Sequence, residues 1–323
     1  TMRVCRFRHQ NQDHVGFYAD DLVLPLARVA LEASRQGLAE AASVSTGDLL
    51  DLLPPDGRFA AVAAKLATWL QGLDDASVQS MSLRTDTVQL LVPIPRPNKL
   101  LLLAGNYNEH IREGGGTETE RAETFPYVFM KPPSTTLTHP GQPVRIPKVS
   151  PNGIDWELEL AVVIGRRCRR VREADALQYV AGYTIINDIS DRKFRPNPGR
   201  KKRDRDSFFD WQHGKWHDSF CPCGPCIVSA DALPDPQKLA MKLTRNGQVM
   251  QDASTSQQIF PVAAVIEFIS SFVTLEPGDI ISTGTPAGVG NTTGTYLAPG
   301  DRMQGSIESI GTLVSPVEAD LDA

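Results

Sequence analysis

From residue 99 onward the chain is written in short apolar runs cut by glycine and proline, and this punctuation restricts its fold more than any other feature. Proline removes a backbone donor and blocks a helix interior, while glycine opens the turn conformations that join strands. With 25 Gly and 24 Pro among 323 residues, few stretches can establish a helical period. The exception is "FPVAAVIEFISSFV" (260–273), whose apolar spacing predicts an amphipathic helix. Ahead of residue 91 the character differs. Residues 2–28 alternate in short apolar pieces and predict a hairpin, and residues 29–78 read as helices. "LVPIPRPNK" (91–99) breaks any regular element and sets a boundary near residue 92. The expectation is an α+β chain, mainly β: a small α/β N-terminal domain over 1–92 and a larger β-rich catalytic domain over 93–323. There is no internal repeat.

Composition narrows the function classes. A hydrophobic content of 41 % and a charged content of 22 % are those of an ordinary soluble domain. The net charge of −5 gives no electrostatic reason to expect nucleic acid. No apolar run approaches the roughly 20 residues that span a bilayer, so no membrane association is expected. The N-terminus lacks the apolar core of a signal peptide. Five cysteines, an odd number, read as reduced thiols and place the chain in the cytoplasm.

Chemistry enters at "IDWELEL" (154–160), where Glu157 and Glu159 precede the apolar run Leu160–Ile164. Alternation along a strand puts both carboxylates on one face with Ala161 and Val163. Two adjacent carboxylates repel, and a hard divalent cation would relieve them; acids that merely face water are the alternative. Asp188, after Ile185 and Ile186 in "YTIINDISDR", is a third acid at the end of a buried strand. Ser190 is expected to cap a short helix that sets Arg192 one turn beyond Asp188. A general base comes from "GNYNEHIREGGG": His110 and Glu113 share a face of a helical turn, so the carboxylate can orient the imidazole. An incidental surface ion pair is the other reading. Lys215, among aromatics in "HGKWHDSF", is either an oxyanion stabiliser or a snorkelling surface residue.

Other segments carry weaker signals. "EGGGTETERAET" (113–124) and the charge run "RPNPGRKKRDRDSFFDW" (195–211) read as solvated loops, or as lids if they flank a site. His213, His217, Cys221, Cys223 and Cys226 form a poor zinc pattern, because all fall in one Pro-punctuated stretch without a second knuckle. "GVGNTTG" (288–294) lacks the G-K-[ST] ending of a phosphate loop and reads as a turn. No G-x-S-x-G elbow is present, which argues against a serine hydrolase.

As a set, "AGNYNEHIRE", "FPYVFMKPPST", "DWELELAVVIGRR", "AGYTIINDISDR", "GKWHDSFCPCGPCIV", "LTRNGQVMQDAST" and "PGDIISTGTPAGVG", followed by "LAPGDRMQGSIESIG", resemble the fumarylacetoacetate hydrolase family. The blocks keep the family's order over roughly residues 99–313. The resemblance implies a mixed β-roll catalytic domain, a homodimer, and a divalent metal under a mobile lid. It implies Glu157, Glu159 and Asp188 as ligands of Mg²⁺ or Mn²⁺, with Ca²⁺ as a stand-in in a crystal. His110 and Glu113 fall on the family's water-activating dyad and Lys215 on its oxyanion-stabilising lysine. Arg192 falls on the arginine that holds the substrate's acidic end, and Lys131 and Thr285 on pocket positions. Two positions depart from the pattern. Lys193 replaces an acid, and Arg195 replaces a glutamine that often touches substrate, ahead of the charged insertion 196–210. The added positive charge points to a dianionic substrate, with Arg195 as a candidate contact.

The resulting expectation is hydrolytic cleavage of a carbon–carbon bond in a β-diketo acid such as an acylpyruvate. The alternatives are decarboxylation, isomerisation, hydration or lyase chemistry on an oxo-acid, for example oxaloacetate, 2-hydroxyhepta-2,4-diene-1,7-dioate or a sugar acid. A catalytically silent metabolite binder and a zinc-structured interaction module complete the field.

Overall fold

The structure, a computed structural model, describes residues 1–118 and 120–320. Thr119 in the expected lid and residues 321–323 at the end of the expected second domain lie outside the described residues. At its centre the antiparallel strands Leu158–Ile164 and Val180–Asn187 lie beside Cys221–Ser229 on one side and Ile280–Ser282 on the other. Leu100–Ala104 and Tyr127–Met130 extend that second side to the sheet edge.

Every residue of Leu158–Ile164 is buried, because both faces of this sheet are covered. Leu158, Leu160, Val162 and Ile164 join a core with Met303, Leu313 and the helix Val262–Phe272. Ala161 and Val163 point the other way, to Leu49, Leu52 and Leu66 from the N-terminal helical region. An unbroken apolar run is therefore what this position requires, where a strand with one wet face would alternate. The first core also takes in a five-stranded sheet, Gln248–Ser254, Ala240–Arg245, Arg302–Ile307, Gly311–Ala319 and Val144–Ile146 in spatial order. Mixed sheets with peripheral helices make the chain α+β and mainly β.

The hairpin expected over residues 2–28 forms, and a third strand extends it: Arg3–His9, Gln12–Ala19 and Leu22–Pro25. Gln10 and Asn11 both take positive φ, as a two-residue hairpin turn demands. The predicted helices appear as Leu26–Arg35, Ala60–Gln71 and Asp75–Met81 with short 3₁₀ turns between. Arg3–His9 also pairs with Cys221–Ser229, with Val4 opposite Ile227, so residues before and after position 92 share one sheet. The helix predicted over 260–273 is Val262–Phe272.

One expected element does not form. Ser190 caps no helix; Ser190–Asp191 is extended and pairs with Ile154–Asp155. The serine hydroxyl donates to Asp188 O at 2.9 Å, and the Asp191 amide donates to Gly214 O at 2.9 Å. Those bonds hold the backbone straight, so Arg192 reaches the site along an extended segment.

Candidate active site

The ladder register assembles the three acids. Leu158 stands opposite Asn187 and Glu159 opposite Ile186. One step beyond, the Asp188 amide donates to Glu157 O at 2.8 Å, which sets Glu157 opposite Asp188. Opposed residues share a face, and so do residues two apart, so all three carboxylates converge. Their ligand atoms lie within 4.8 Å of one another, and all three residues are buried. Among the described residues this is the only group of three or more His, Cys, Asp or Glu so placed.

The acids differ in their company. Glu157 receives Lys215 Nζ at 2.8 Å and Arg192 Nη2 at 2.5 Å. Burial pushes its carboxyl upward, but Lys215, Arg192 and His110 together outweigh that and hold it well below the usual range. Asp188 receives Lys131 Nζ at 2.5 Å on one oxygen and Lys215 Nζ at 2.6 Å on the other. Among the described residues, Glu159 has no cation within bonding distance. Its Oε2 accepts from Ser282 Oγ (2.6 Å) and the Gly284 amide (2.9 Å), and its Oε1 is buried with no partner. Burial first, and then the charges of Asp188 and Glu157, push its carboxyl well above the ordinary value. An orphaned buried carboxylate oxygen beside two further carboxylates fits a hard divalent cation, which takes oxygen ligands.

The base candidate is assembled as the spacing predicts. The helix Asn108–Glu113 sets His110 Nδ1 2.8 Å from Glu113 Oε1. Both side chains are about one-fifth exposed, so the imidazole is reachable while its carboxylate is held. Glu113 Oε2 accepts the Gly288 amide at 2.9 Å. "GVGNTTG", read from sequence as a turn, forms a one-turn helix at Gly290–Thr293, and the glycine two residues ahead of it anchors the dyad.

Residues 99–318 match the family model described as fumarylacetoacetate (FAA) hydrolase C-terminal. The chain belongs to the fumarylacetoacetate hydrolase family. It is 36 % identical over 315 residues to 2,4-didehydro-3-deoxy-L-rhamnonate hydrolase of Sphingomonas sp. (strain SKA58), covering 96 % of this chain and 94 % of that one. It is 35 % identical over 310 residues to oxaloacetate tautomerase YisK of Bacillus subtilis (strain 168), covering 95 % and 97 %. Among solved structures it resembles maleylpyruvate hydrolase from Sphingobium sp. SYK-6 in complex with manganese(II) ion and pyruvate. That match has a TM-score of 0.70 and 29 % identity over 98 % of this chain and 99 % of that one. These relatives of the family are enzymes, and their names span hydrolase and tautomerase.

The remaining family positions are placed unevenly. Lys215, Arg192 and Lys131 all touch the acids. Lys215 is buried, with its ammonium 5.2 Å from the Phe129 ring centroid and 5.8 Å from that of Trp211. Burial opposes its charge, but Asp188 and Glu157 outweigh this and raise its pKa. Lys131 is fully buried and donates to Asp188, Ile189 O (2.8 Å) and Phe220 O (2.6 Å), so its three protons are committed inside the protein. Arg192 spends two of its five N–H donors, Nε on Asp155 Oδ2 at 2.9 Å and one Nη2 proton on Glu157 Oε1 at 2.5 Å. Its side chain stays partly exposed. Thr285 Oγ1 donates to Leu158 O and accepts from Gln251 Nε2, which braces the strand that carries Glu159.

Arg195 has no bond to the acids. Its side chain is 58 % exposed, and Nη1 lies on Asp210 at 3.1 Å and on Phe194 O. Lys193 stands over the Tyr296 ring at 4.3 Å, and Arg200 pairs with Asp206 and Asp210. Residues 193–210 hold seven cations and three acids, so Asp206 and Asp210 pair with Arg195, Arg200 and Arg203 while the stretch keeps a positive excess. The cysteines of the zinc-like stretch lie on the buried strand Cys221–Ser229, where burial pushes all three thiols up, Cys223 to about 12.

Asp155 escaped the sequence reading. It shares parity with Glu157 and Glu159 in "IDWELEL", so the same alternation that marked the pair contained it.

Proposed function

We propose that this protein hydrolyses a carbon–carbon bond in a β-diketo acid of the acylpyruvate class. The observation that carries this reading is the His110–Glu113 pair, held at 2.8 Å and anchored by the Gly288 amide. Bond hydrolysis needs an oriented base for water, and an imidazole with its Nδ1 bound to a carboxylate supplies one. Glu157, Glu159 and Asp188 would hold a divalent ion, Mg²⁺ or Mn²⁺, which supplies Lewis-acid stabilisation of oxygen charge on an α-keto acid.

The chain's own residues account for the remaining steps. With Nδ1–H donated to Glu113, His110 Nε2 takes a proton from water, and the hydroxide adds to the distal carbonyl carbon. The Lys215 ammonium sits beside Glu157 and Asp188, where it can steady the oxyanion that forms. Collapse of that oxyanion breaks the carbon–carbon bond and releases a carboxylic acid and an enolate. Protonation of the enolate carbon by the His110 imidazolium gives pyruvate and restores the base. Arg192 holds Glu157 in place with one Nη2 proton, and its remaining N–H donors can take the substrate's acidic end.

A second reading has its own support: the oxaloacetate tautomerase relative covers 95 % of this chain. Tautomerisation uses proton transfer at the enol carbon without attack by water. The deciding experiment measures turnover of an acylpyruvate and of oxaloacetate with Mg²⁺ or Mn²⁺, after chelation, and in His110→Ala. Metal-dependent acylpyruvate cleavage lost in His110→Ala is the expected result. Oxaloacetate turnover that survives the substitution, without acylpyruvate cleavage, would overturn the hydrolase reading. No turnover over a panel of keto acids, with metal still bound, would make the protein a binder.

A further inference from the structure

The base and the acid cradle lie on different segments, and their relative position depends on whatever joins them. Asp155 does so. It is wholly buried, and each of its oxygens accepts two hydrogen bonds. Oδ1 accepts from the amides of Trp156 (2.8 Å) and Gly290 (2.6 Å). Oδ2 accepts from the Asn291 amide (3.0 Å) and from Arg192 Nε (2.9 Å). Its neighbour holds the same segment, since Trp156 Nε1 donates to Gly288 O at 3.0 Å.

Segment 288–291 is thereby held at three residues, and Gly288 is the one whose amide reaches Glu113. Backbone packs closely against this segment at both of its glycines. A Cβ on Gly288, where φ is +101°, would lie 2.1 Å from Met250 O, and one on Gly290 1.9 Å from Thr295 O. Both glycines are pressed against backbone. Gly288, Gly290 and Asn291 thus sit between Asp155–Trp156 on one end and Glu113 on the other.

We infer that Asp155 is a positioning residue for the His110–Glu113 base: it fixes segment 288–291, whose Gly288 amide orients Glu113, and through Arg192 it ties that segment to Glu157. The segment leads into the one-turn helix Gly290–Thr293. The inference rests on the proposed role of His110 as base. Two rival accounts make different demands. A purely structural Asp155 would alter stability alone. An Asp155 that acts only through Arg192 would alter metal affinity and leave the loop untouched.

The test uses full-length protein with Asp155→Asn, Trp156→Phe and Glu113→Ala, singly and as the two doubles that include Glu113→Ala. The readouts are kcat and KM on an acylpyruvate, Mn²⁺ affinity by titration, and hydrogen exchange of the Gly288, Gly290 and Asn291 amides. Asp155→Asn should lower kcat about tenfold, the scale of one lost hydrogen bond to a charged group, with a smaller change in KM. It should speed exchange at 288–291. Added to Glu113→Ala, it should cost less than about threefold more, because both substitutions break one path. Trp156→Phe leaves the Arg192 and Glu157 contacts in place and should show the same non-additivity; it carries the test if Asp155→Asn does not fold. Additive losses, or weakened Mn²⁺ binding with unchanged exchange at 288–291, overturn the inference. A wild type inactive on every keto acid refutes the proposed function instead, and exchange then decides the loop claim: unchanged rates in both variants sink it.

Discussion

Lys131→Met separates a residue that builds the site from one that binds substrate. The family pattern places Lys131 in the pocket, yet the structure gives its ammonium three internal acceptors: Asp188 Oδ1 at 2.5 Å, Ile189 O at 2.8 Å and Phe220 O at 2.6 Å. Lysine has three protons, so none is left for a ligand. Methionine keeps most of the side-chain volume and removes the charge. Asp188 then retains Lys215 alone, and two buried carbonyls lose a donor. Breaking a buried ion pair from one side costs about 3–5 kcal/mol, because the surviving charge stays desolvated. At roughly 2 °C per kcal/mol for a chain of this size, the melting midpoint should fall by about 6–10 °C. The assay is thermal unfolding followed by circular dichroism in chelator, with guanidinium unfolding as a second measure. A midpoint within about 2 °C of wild type would refute the reasoning, because a lysine free to serve the substrate would leave the unliganded fold unchanged.

Glu159→Gln should bind Mn²⁺ more weakly by about 100-fold or more, beyond what loss of an outer-shell partner produces. Without metal it should melt at or above wild type, because burial and two neighbouring acids disfavour the ionised glutamate; a lower midpoint in chelator counts against this. Arg195→Ala should leave kcat and KM within about twofold, as expected for an exposed side chain paired with Asp210. A tenfold rise in KM would restore its family-based role as a substrate contact. His139 accepts the Val92 amide on Nδ1 at 2.9 Å, and burial, then Arg6 and Arg8, hold its pKa below the usual value. A depressed folded pKa means the unfolded chain takes up the proton first. The stabilisation is therefore present above the unfolded pKa of about 6.5 and is lost as pH falls through the folded one. Denaturant unfolding between about pH 7.5 and 5 should show a smaller pH dependence in His139→Gln, and equal slopes would exclude the effect.

The acid cradle was legible because two local rules suffice to build it. Alternation put Glu157 and Glu159 on one face, and the apolar run after them marked a buried strand; Asp188 likewise ended an apolar run. The dyad was legible for the same reason, since i and i+3 on a helical turn are neighbours whatever lies around them. What escaped depends on contacts distant in sequence. Nothing near Lys131 shows that Asp188, 57 residues on, accepts its hydrogen bond, nor that Arg3 pairs opposite Val228. The Ser190 helix failed because a hydroxyl that caps in one setting donates to a carbonyl in another, and sequence does not distinguish the two. Arg195 was placed at the site because it replaces a glutamine of the family pattern. Its pairing with Asp210, 15 residues on, is another contact that nothing nearby in the sequence announces.

Charge balance gives these placements a common reason. Asp155, Glu157, Glu159 and Asp188 are four carboxylates in one contact network, and Arg192, Lys131 and Lys215 are its three cations. Fully ionised, the group would hold one excess negative charge in a buried setting, which is costly. The excess falls on the acid with no cation partner, and Glu159 is the one whose pKa burial and its neighbours drive up. A divalent cation bound with Glu159 ionised would reverse the sign to one excess positive charge. The substrate that best neutralises that charge carries at least one carboxylate, as an α-keto acid does. On this argument the three cations hold the acids in place and set the cradle's sign, while Glu159 makes that sign depend on a bound ion. Replacing Lys131, Lys215 or Arg192 by a neutral residue should then weaken keto-acid affinity even where, as for Lys131, the side chain cannot touch the ligand.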